Sequence, residues 1–267
     1  MKAPRDQHFL IDRKAIEKIA GMVDVAGKRV LEIGPGEGPL TKALLNRGAT
    51  VIAIELDSGL VEDLKIRFAR EIKNGTLILI HGDAVRCEIP PFEKVVANLP
   101  YSASSRITFR LLDIGFGEAV LMYQKEFGQR MIAPPGTPGV GRLSIMVQTY
   151  AKVKPMMQLS PKAFSPPPEV HSWVMKITPR SPPHPIADTD LYALIVRELF
   201  SHRRKTVRKG LKTSRSLLGT ETVDRIIGTL PDELLARRPE ELSLKEFADI
   251  ANAGAAQPEK AHRSAKQ

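Results

Sequence analysis

The tetrapeptide Asn98-Leu99-Pro100-Tyr101 has the residue types needed for chemistry on a nucleobase amine. The exocyclic amine of adenine is a poor nucleophile because its lone pair is delocalised into the ring. A side-chain amide oxygen from Asn98 and the backbone carbonyl of Pro100 can accept its two N–H bonds. That draws the nitrogen toward a tetrahedral state and frees the lone pair for attack. Tyr101 can stack on the base, a contact worth about 1–3 kcal/mol. No strong base is required, because an alkylated ammonium sheds its proton readily, so alignment with an electrophile carries most of the catalysis. The plainer alternative is an Asn-x-Pro turn with a surface tyrosine.

A second group of residues fits an adenosine-containing cofactor. Glu32-Ile33-Gly34-Pro35-Gly36-Glu37-Gly38 has the glycines of a tight turn that lets backbone approach a ligand. Glu55 follows about twenty residues later, where a carboxylate can accept both ribose hydroxyls. Asp83 could meet the adenine amino group. Both a dinucleotide and S-adenosyl-L-methionine fit this pattern. The dinucleotide fingerprint is G-x-G-x-x-G, whereas this loop reads G-x-G-x-G with Glu37 inside it. An extra carboxylate is awkward beside a pyrophosphate. A cofactor with a sulfonium and an amino group tolerates acids at Glu32 and Glu37.

The elements around these residues set them on one edge of a sheet. Apolar, β-rich runs occur at Arg29–Ile33, Thr50–Glu55, Thr76–His81, Lys94–Ala97 and Ala119–Tyr123. Helix-period segments lie between them at Leu40–Arg47, Leu60–Ile72 and Ser104–Leu112. Continuous apolar runs mark strands buried on both faces. Their alternation with helices predicts an α/β fold, a doubly wound Rossmann-like parallel sheet whose ligands bind beyond the carboxyl ends of the strands. The glycine loop, Glu55, Asp83 and Asn98 all follow such strands. Val153–Leu159 and Val170–Ile177 read as an antiparallel extension of the sheet edge.

The pattern changes after the proline-rich stretch Pro179–Pro185, where only helical periods remain, at Leu191–Phe200, Lys205–Leu218, Val223–Gly228 and Leu242–Ala251. The expected domains are residues 1–180 as the sheet domain, 181–254 as a helical RNA-binding domain, and 255–267 as a disordered tail. The chain of 267 residues carries a net charge of +10, which points to a polyanionic partner. Arg197 to Arg215 hold eight cations against one anion, Glu198. Either this is a solvated helix face or a helix that tracks phosphates.

Other classes find little support. One cysteine, Cys87, excludes an intramolecular disulfide and any Cys-rich zinc module. The six histidines have no metal-site spacing, so no metal is expected. There is no P-loop, no Gly-x-Ser-x-Gly elbow, no signal peptide, and no run near the ~20 apolar residues of a membrane span.

Taken in order, the motifs resemble those of the ribosomal RNA adenine N6,N6-dimethyltransferase family over residues 5 to about 250. Gln7-His8-Phe9-Leu10 resembles its N-terminal cofactor motif, Glu32–Gly38 its glycine loop and Asn98–Tyr101 its catalytic tetrad. Gln124-Lys125-Glu126, Gly141-Arg142-Leu143-Ser144, the segment Phe164–Ser172 and Phe200–Lys205 are similar to further signatures. The resemblance implies S-adenosyl-L-methionine held by His8, Leu10, Gly34, Glu55, Asp83 and Asn98. It implies catalysis by Asn98, Leu99, Pro100 and Tyr101, with Tyr101 and Phe164 sandwiching the target adenine. Arg203, Arg204, Lys205, Arg208 and Lys209 would bind RNA. The substrate implied is small-subunit ribosomal RNA within the small ribosomal subunit, modified by a cytoplasmic monomer of archaeal character. Asp6 departs from the glycine many members have there. The alternatives are a large-subunit enzyme, a non-catalytic ribosome-assembly factor and a nucleotide-dependent dehydrogenase. The dehydrogenase lacks the third fingerprint glycine, and the intact tetrad argues against a non-catalytic role.

Overall fold

The computed structural model describes residues 8–255; the expectations for Asp6, Gln7 and most of the tail lie outside them. The described chain divides into two compact units. One runs to Ile132 and includes Tyr150–Ser181; the other is Ala133–Thr149 with the residues from Pro182 onward.

The first unit is built on a seven-stranded mixed sheet. After a two-residue strand β1 (Phe9–Leu10), Asp12 caps helix α1 (Arg13–Ala20) by accepting from the Lys14 and Ala15 N–H groups. Then come β2 (Arg29–Ile33), α2 (Pro39–Asn46), β3 (Thr50–Glu55), α3 (Ser58–Arg67), α4 (Ala69–Lys73) and β4 (Leu77–His81). β5 (Lys94–Asn98), α5 (Ser104–Ile114), β6 (Glu118–Gln124) and α6 (Lys125–Met131) follow. The order is β4-β3-β2-β5-β6, all parallel, as the apolar runs predict. The antiparallel extension is also present: β9 (Ser172–Pro179) pairs with β6, and β7 (Ala151–Leu159) pairs with β9. β8 (Phe164–Ser165) pairs with β1 instead, placing Leu10 opposite Phe164.

The segment expected as one helix over Leu60–Ile72 is two, broken at Phe68. Apolar residues at Leu60, Leu64, Phe68 and Ile72 recur every four residues. With 3.6 residues per turn such a stripe drifts about 40° per step around a straight helix. The break lets Phe68 stay against the glycine loop, where it is buried.

The second unit is helical: α7 (Arg142–Tyr150) through Thr149, then α8 (Thr189–Ser201), α9 (Val207–Thr213), α10 (Arg215–Leu218), α11 (Thr220–Thr229), α12 (Asp232–Ala236) and α13 (Leu244–Gly254). A single boundary at residue 180 does not describe it, because residues 133–149 belong here. Thr149 Oγ1 bonds the buried Tyr192 hydroxyl at 2.8 Å, and Gly136 N–H donates to the Glu240 carbonyl at 2.8 Å. α7 lies between a glycine-rich loop and a β-rich run, and its apolar residues show no clear helical stripe: Leu143–Val147 are all buried. Ser243 and Glu246 form a reciprocal capping box that starts α13.

Candidate functional site

β2 and β5 are neighbours although β3 and β4 intervene in sequence, so the strand order reverses between them. Loops leaving their carboxyl ends diverge there and open a crevice. A cavity of about 310 Å³ fills it, of the size that small-molecule sites have.

All six residues expected to hold a cofactor line this cavity: His8, Leu10, Gly34, Glu55, Asp83 and Asn98. Leu99, Pro100 and Tyr101 line it as well. The glycine loop needs its glycines. Gly36 has φ +58°, and a Cβ there would lie 2.7 Å from the Phe9 ring. Gly38 has φ +82°, and a Cβ would stand 2.5 Å from the Phe68 ring.

Glu55 is only 5% exposed and already binds backbone. Its Oε2 accepts from Gly36 N–H at 3.1 Å, and its Oε1 from Leu56 N–H at 2.8 Å and Asp57 N–H at 3.0 Å. A carboxylate has about four acceptor sites, so about one is left for a ligand hydroxyl. The expectation that Glu55 takes both ribose hydroxyls is therefore halved unless a backbone bond gives way. Glu55 also holds the glycine loop to the end of β3. Asp83 Oδ1 accepts from Val85 N–H at 2.8 Å, and its other oxygen lies 3.9 Å from the exposed Arg86 Nε.

Glu32 is 1% exposed and faces the cavity. Burial pushes its carboxyl up from the ordinary 4.5 to about 8; the Thr41 hydroxyl, donating at 2.7 Å, opposes this, and the nearby Glu55 adds to it. Glu37, the other acid expected here, is exposed and off the cavity wall. The Arg67 guanidinium donates to its backbone carbonyl.

The tetrad is held from both sides. Asn98 Nδ2 donates to the His8 carbonyl at 3.0 Å. This spends one side of the amide and leaves Oδ1 without a donor among the described residues. Pro100, the expected second acceptor, differs: its carbonyl accepts from Ala103 N–H at 3.1 Å and Ser104 Oγ–H at 3.2 Å, closing the turn into α5. The Leu99 carbonyl accepts no hydrogen bond among the described residues, so it keeps the acceptor capacity that the Pro100 carbonyl has spent. The Tyr101 hydroxyl bonds Ser172 Oγ at 2.7 Å, and its ring lies 5.6 Å from that of His8. The His8 ring in turn donates from Nδ1 to the Pro166 carbonyl at 2.8 Å.

Phe164 is not brought to the cavity. It is 3% exposed and packs in the core cluster with Leu10, Leu159, Ala163 and Val174. The β1–β8 ladder pairs it with Leu10 of the N-terminal strand, so the expected sandwich partner of Tyr101 is a core residue here. Conversely, Arg106 lines the cavity and sequence reasoning passed over it. Its place five residues after Tyr101, at the start of α5, was the available signal.

In the second unit, the expected single helix over Lys205–Leu218 is a turn after α8 followed by α9 and α10. Thr206 caps α9, and the chain breaks again at Ser214. Arg197, Arg208 and Arg215 pair with Glu198, Asp232 and Asp224. Arg203, Arg204, Lys205 and Lys209 are exposed and have no carboxylate partner among the described residues. The free charge is thus a patch centred on the turn rather than one helix face, and Arg208 is partly committed.

Residues 2–252 match the family model described as ribosomal RNA adenine dimethylase. The chain is 57% identical over 252 residues, 94% of its length and 98% of the relative's, to the probable ribosomal RNA small subunit methyltransferase A of Methanospirillum hungatei JF-1. Among solved structures, a dimethyladenosine transferase from Plasmodium falciparum is similar with TM-score 0.75 and 29% identity, over 91% of this chain and 96% of that one. The 23S rRNA methyltransferase ErmE is similar with TM-score 0.64 and 25% identity, over 92% and 98%.

Proposed function

Because the chain belongs to the ribosomal RNA adenine dimethylase family, we propose that it uses S-adenosyl-L-methionine to methylate N6 of two adjacent adenines in a hairpin loop near the 3′ end of small-subunit (16S) ribosomal RNA. The product is N6,N6-dimethyladenine, formed during small-subunit biogenesis. The observation that carries this reading is the Asn98 amide, locked by the His8 carbonyl with its oxygen unbonded on the cavity wall.

The cavity fits the cofactor on its donor set. Glu55 and Asp83 each keep acceptor capacity for an adenosine, and Glu32 is a buried acid suited to a cationic ligand. When bound, S-adenosyl-L-methionine supplies an electrophilic methyl group. The chain's own part is to hold the amine. Asn98 Oδ1 and the Leu99 carbonyl accept its hydrogens, and Tyr101, braced by Ser172, stacks on the base. The proton lost from nitrogen needs no dedicated base. Among the described residues no cluster of acids, histidines or cysteines could hold a metal, and the reading calls for none.

Arg203, Arg204, Lys205 and Lys209 supply the phosphate contacts, with a smaller share from Arg208. Small-subunit RNA is preferred to large-subunit RNA because the relative at 57% identity is named for the small subunit, whereas the 23S enzyme is at 25%. No helix among the described residues is long and apolar enough to cross a membrane. A monomer acting on the small subunit in the cytoplasm goes with this reading. The test is to incubate the protein with labelled S-adenosyl-L-methionine and small subunits lacking the modification, then map the label. Label at adjacent adenines near the 3′ end is expected. Label on large-subunit RNA, or none, would overturn it.

A further inference from the structure

We infer that Arg106 binds a backbone phosphate of the target RNA at the mouth of the cavity. The inference rests on the RNA reading above and adds a contact to it.

Two carboxylates, Glu55 and Asp83, line the cavity beside the buried acid Glu32. A phosphodiester carried to the entrance by the target base meets their field, which opposes its approach. Arg106 is the one lysine or arginine among the described residues of that wall. It lines that wall and is exposed, the disposition suited to a long cationic side chain whose head stays in water. Among the described residues it has neither a hydrogen bond nor an ion pair, and its full charge is available.

Nothing in the local helix explains an arginine there. Arg106 is the third residue of α5, whose first turn has no acid and whose Ala103 cap offers no side-chain hydrogen bond. A cation near the positive end of the helix dipole is unfavourable. The contrast with Arg110, one turn further on, is direct. Arg110 donates to the Ala84 carbonyl at 2.6 Å and also to that of Cys87, so it fastens the loop after β4 to α5. Arg106 fastens nothing among the described residues.

Its position decides the ligand. Arg106 follows Tyr101, Ser102 and Ala103, all on the same wall, and Tyr101 is the proposed base platform. A base stacked on Tyr101 keeps its ribose and phosphates outside the cavity, where the exposed guanidinium is. Arginine suits that partner, since its fork of donors matches two phosphate oxygens. The cofactor reading draws on Glu55 and Asp83 and makes no use of Arg106.

The experiment compares the wild-type chain with Arg106→Gln and Arg106→Lys. Binding to small subunits lacking the modification is measured without turnover across a salt series. Cofactor affinity is measured by calorimetry, and methyl transfer is followed separately. Arg106→Gln is expected to weaken subunit binding about tenfold and lower the salt slope by about 0.7–0.9, the share of one phosphate. Arg106→Lys should retain most of both, and cofactor affinity should be unchanged in either variant. An unchanged salt slope in Arg106→Gln would overturn the inference. So would a cofactor affinity that falls in step with subunit affinity, which would put Arg106 on the cofactor. Failure of the wild-type protein to methylate the subunits would refute the proposed function instead, and the binding series would still decide whether Arg106 meets a phosphate.

Discussion

The side-chain amide of Asn98 donates to the backbone carbonyl of His8 at 3.0 Å, across 90 residues of sequence. A primary amide has one acceptor side and one donor side. Tying down the donor side leaves the oxygen at a set orientation before any base arrives, which is the preorganisation that catalysis by alignment needs. Asn98→Ala is therefore expected to lower methyl transfer about 100- to 1,000-fold while the thermal midpoint stays near that of the wild type. Labelled-methyl incorporation and a melting curve check it. Full dimethylation by the variant would refute the role.

Glu55 has two tasks, and a pair of substitutions separates them. Glu55→Ala deprives Gly36, Leu56 and Asp57 of their acceptor and removes a ligand contact, so both melting point and cofactor affinity should fall. The loss in affinity should be about 10- to 100-fold by calorimetry. Glu55→Gln keeps one acceptor oxygen and should recover much of the melting point but less of the affinity. Unchanged affinity in Glu55→Ala, or tight binding of a nicotinamide dinucleotide, would remove the pocket assignment.

Much of this site was legible because it follows strand ends. Buried parallel strands read as unbroken apolar runs, so the positions of Gly34, Glu55, Asp83 and Asn98 beyond them could be placed from periodicity alone. What failed was long-range or conformational. The burial of Phe164 depends on a two-residue ladder with Phe9–Leu10, and no local pattern announces so short a pairing. The Pro100 carbonyl is lost to a turn closed by Ala103 and Ser104. The basic run reads as one helix because Thr206 and Ser214 look like ordinary helix-surface residues, whereas in the fold one caps a helix and the other ends it.

Glu32 links pH to both folding and binding. Its carboxyl keeps a proton up to about pH 8 in the folded state, whereas an unfolded chain releases it near the ordinary 4.5. The folded state then binds more protons between those values, so this group's contribution to stability falls as pH rises from about 4.5 to 8 and is level beyond. Glu32→Gln, which can still accept from Thr41, should remove that fall and raise the melting point at pH 8 relative to the wild type. A cationic cofactor favours the ionised carboxyl, so binding at pH 7 should release up to about one proton. Calorimetry in buffers of different ionisation enthalpy counts it. No buffer dependence beyond that of Glu32→Gln would exclude the linkage.

The unpaired cations should account for the salt dependence of RNA binding. Neutralising Arg203, Arg204 and Lys205 together should weaken subunit binding and lower the log–log salt slope by about 2–2.7. Neutralising Arg208 and Arg215, which already pair with Asp232 and Asp224, should change the slope less and the melting point more. Cofactor affinity should not respond to either set. Equal slopes for the wild type and the triple variant would mark the patch as solvated surface.

Phe164 now has a different expected phenotype from that of a base-stacking residue. Its side chain is packed with Leu10 and Val174, so Phe164→Ala should cost about 3–5 kcal/mol of stability. Phe164→Leu should restore most of it, and the ratio of dimethyl to monomethyl product should be the same in both folded variants. A ratio that shifts toward monomethyladenine in Phe164→Leu at full stability would return Phe164 to the base.

Dimethylation itself places the heaviest demand on Tyr101. After the first transfer the amine has a single N–H, so it can bond Asn98 Oδ1 or the Leu99 carbonyl but not both. The methylated nitrogen is then aligned by one hydrogen bond and by stacking, where the first substrate had two hydrogen bonds. Weakening the stack should therefore slow the second transfer more than the first. Tyr101→Ala removes a contact worth about 1–3 kcal/mol and should let monomethyladenine accumulate. Tyr101→Phe keeps the ring but loses the bond to Ser172, which holds it at 2.7 Å, and should show a smaller shift in the same direction. Ser172→Ala removes that bond from the other side and should match Tyr101→Phe. Mass spectrometry of digested RNA over a time course counts the methyl groups. An equal slowing of both transfers in Tyr101→Ala would show that the ring positions the RNA without favouring the second step, and an undiminished dimethyl fraction would remove it from the site.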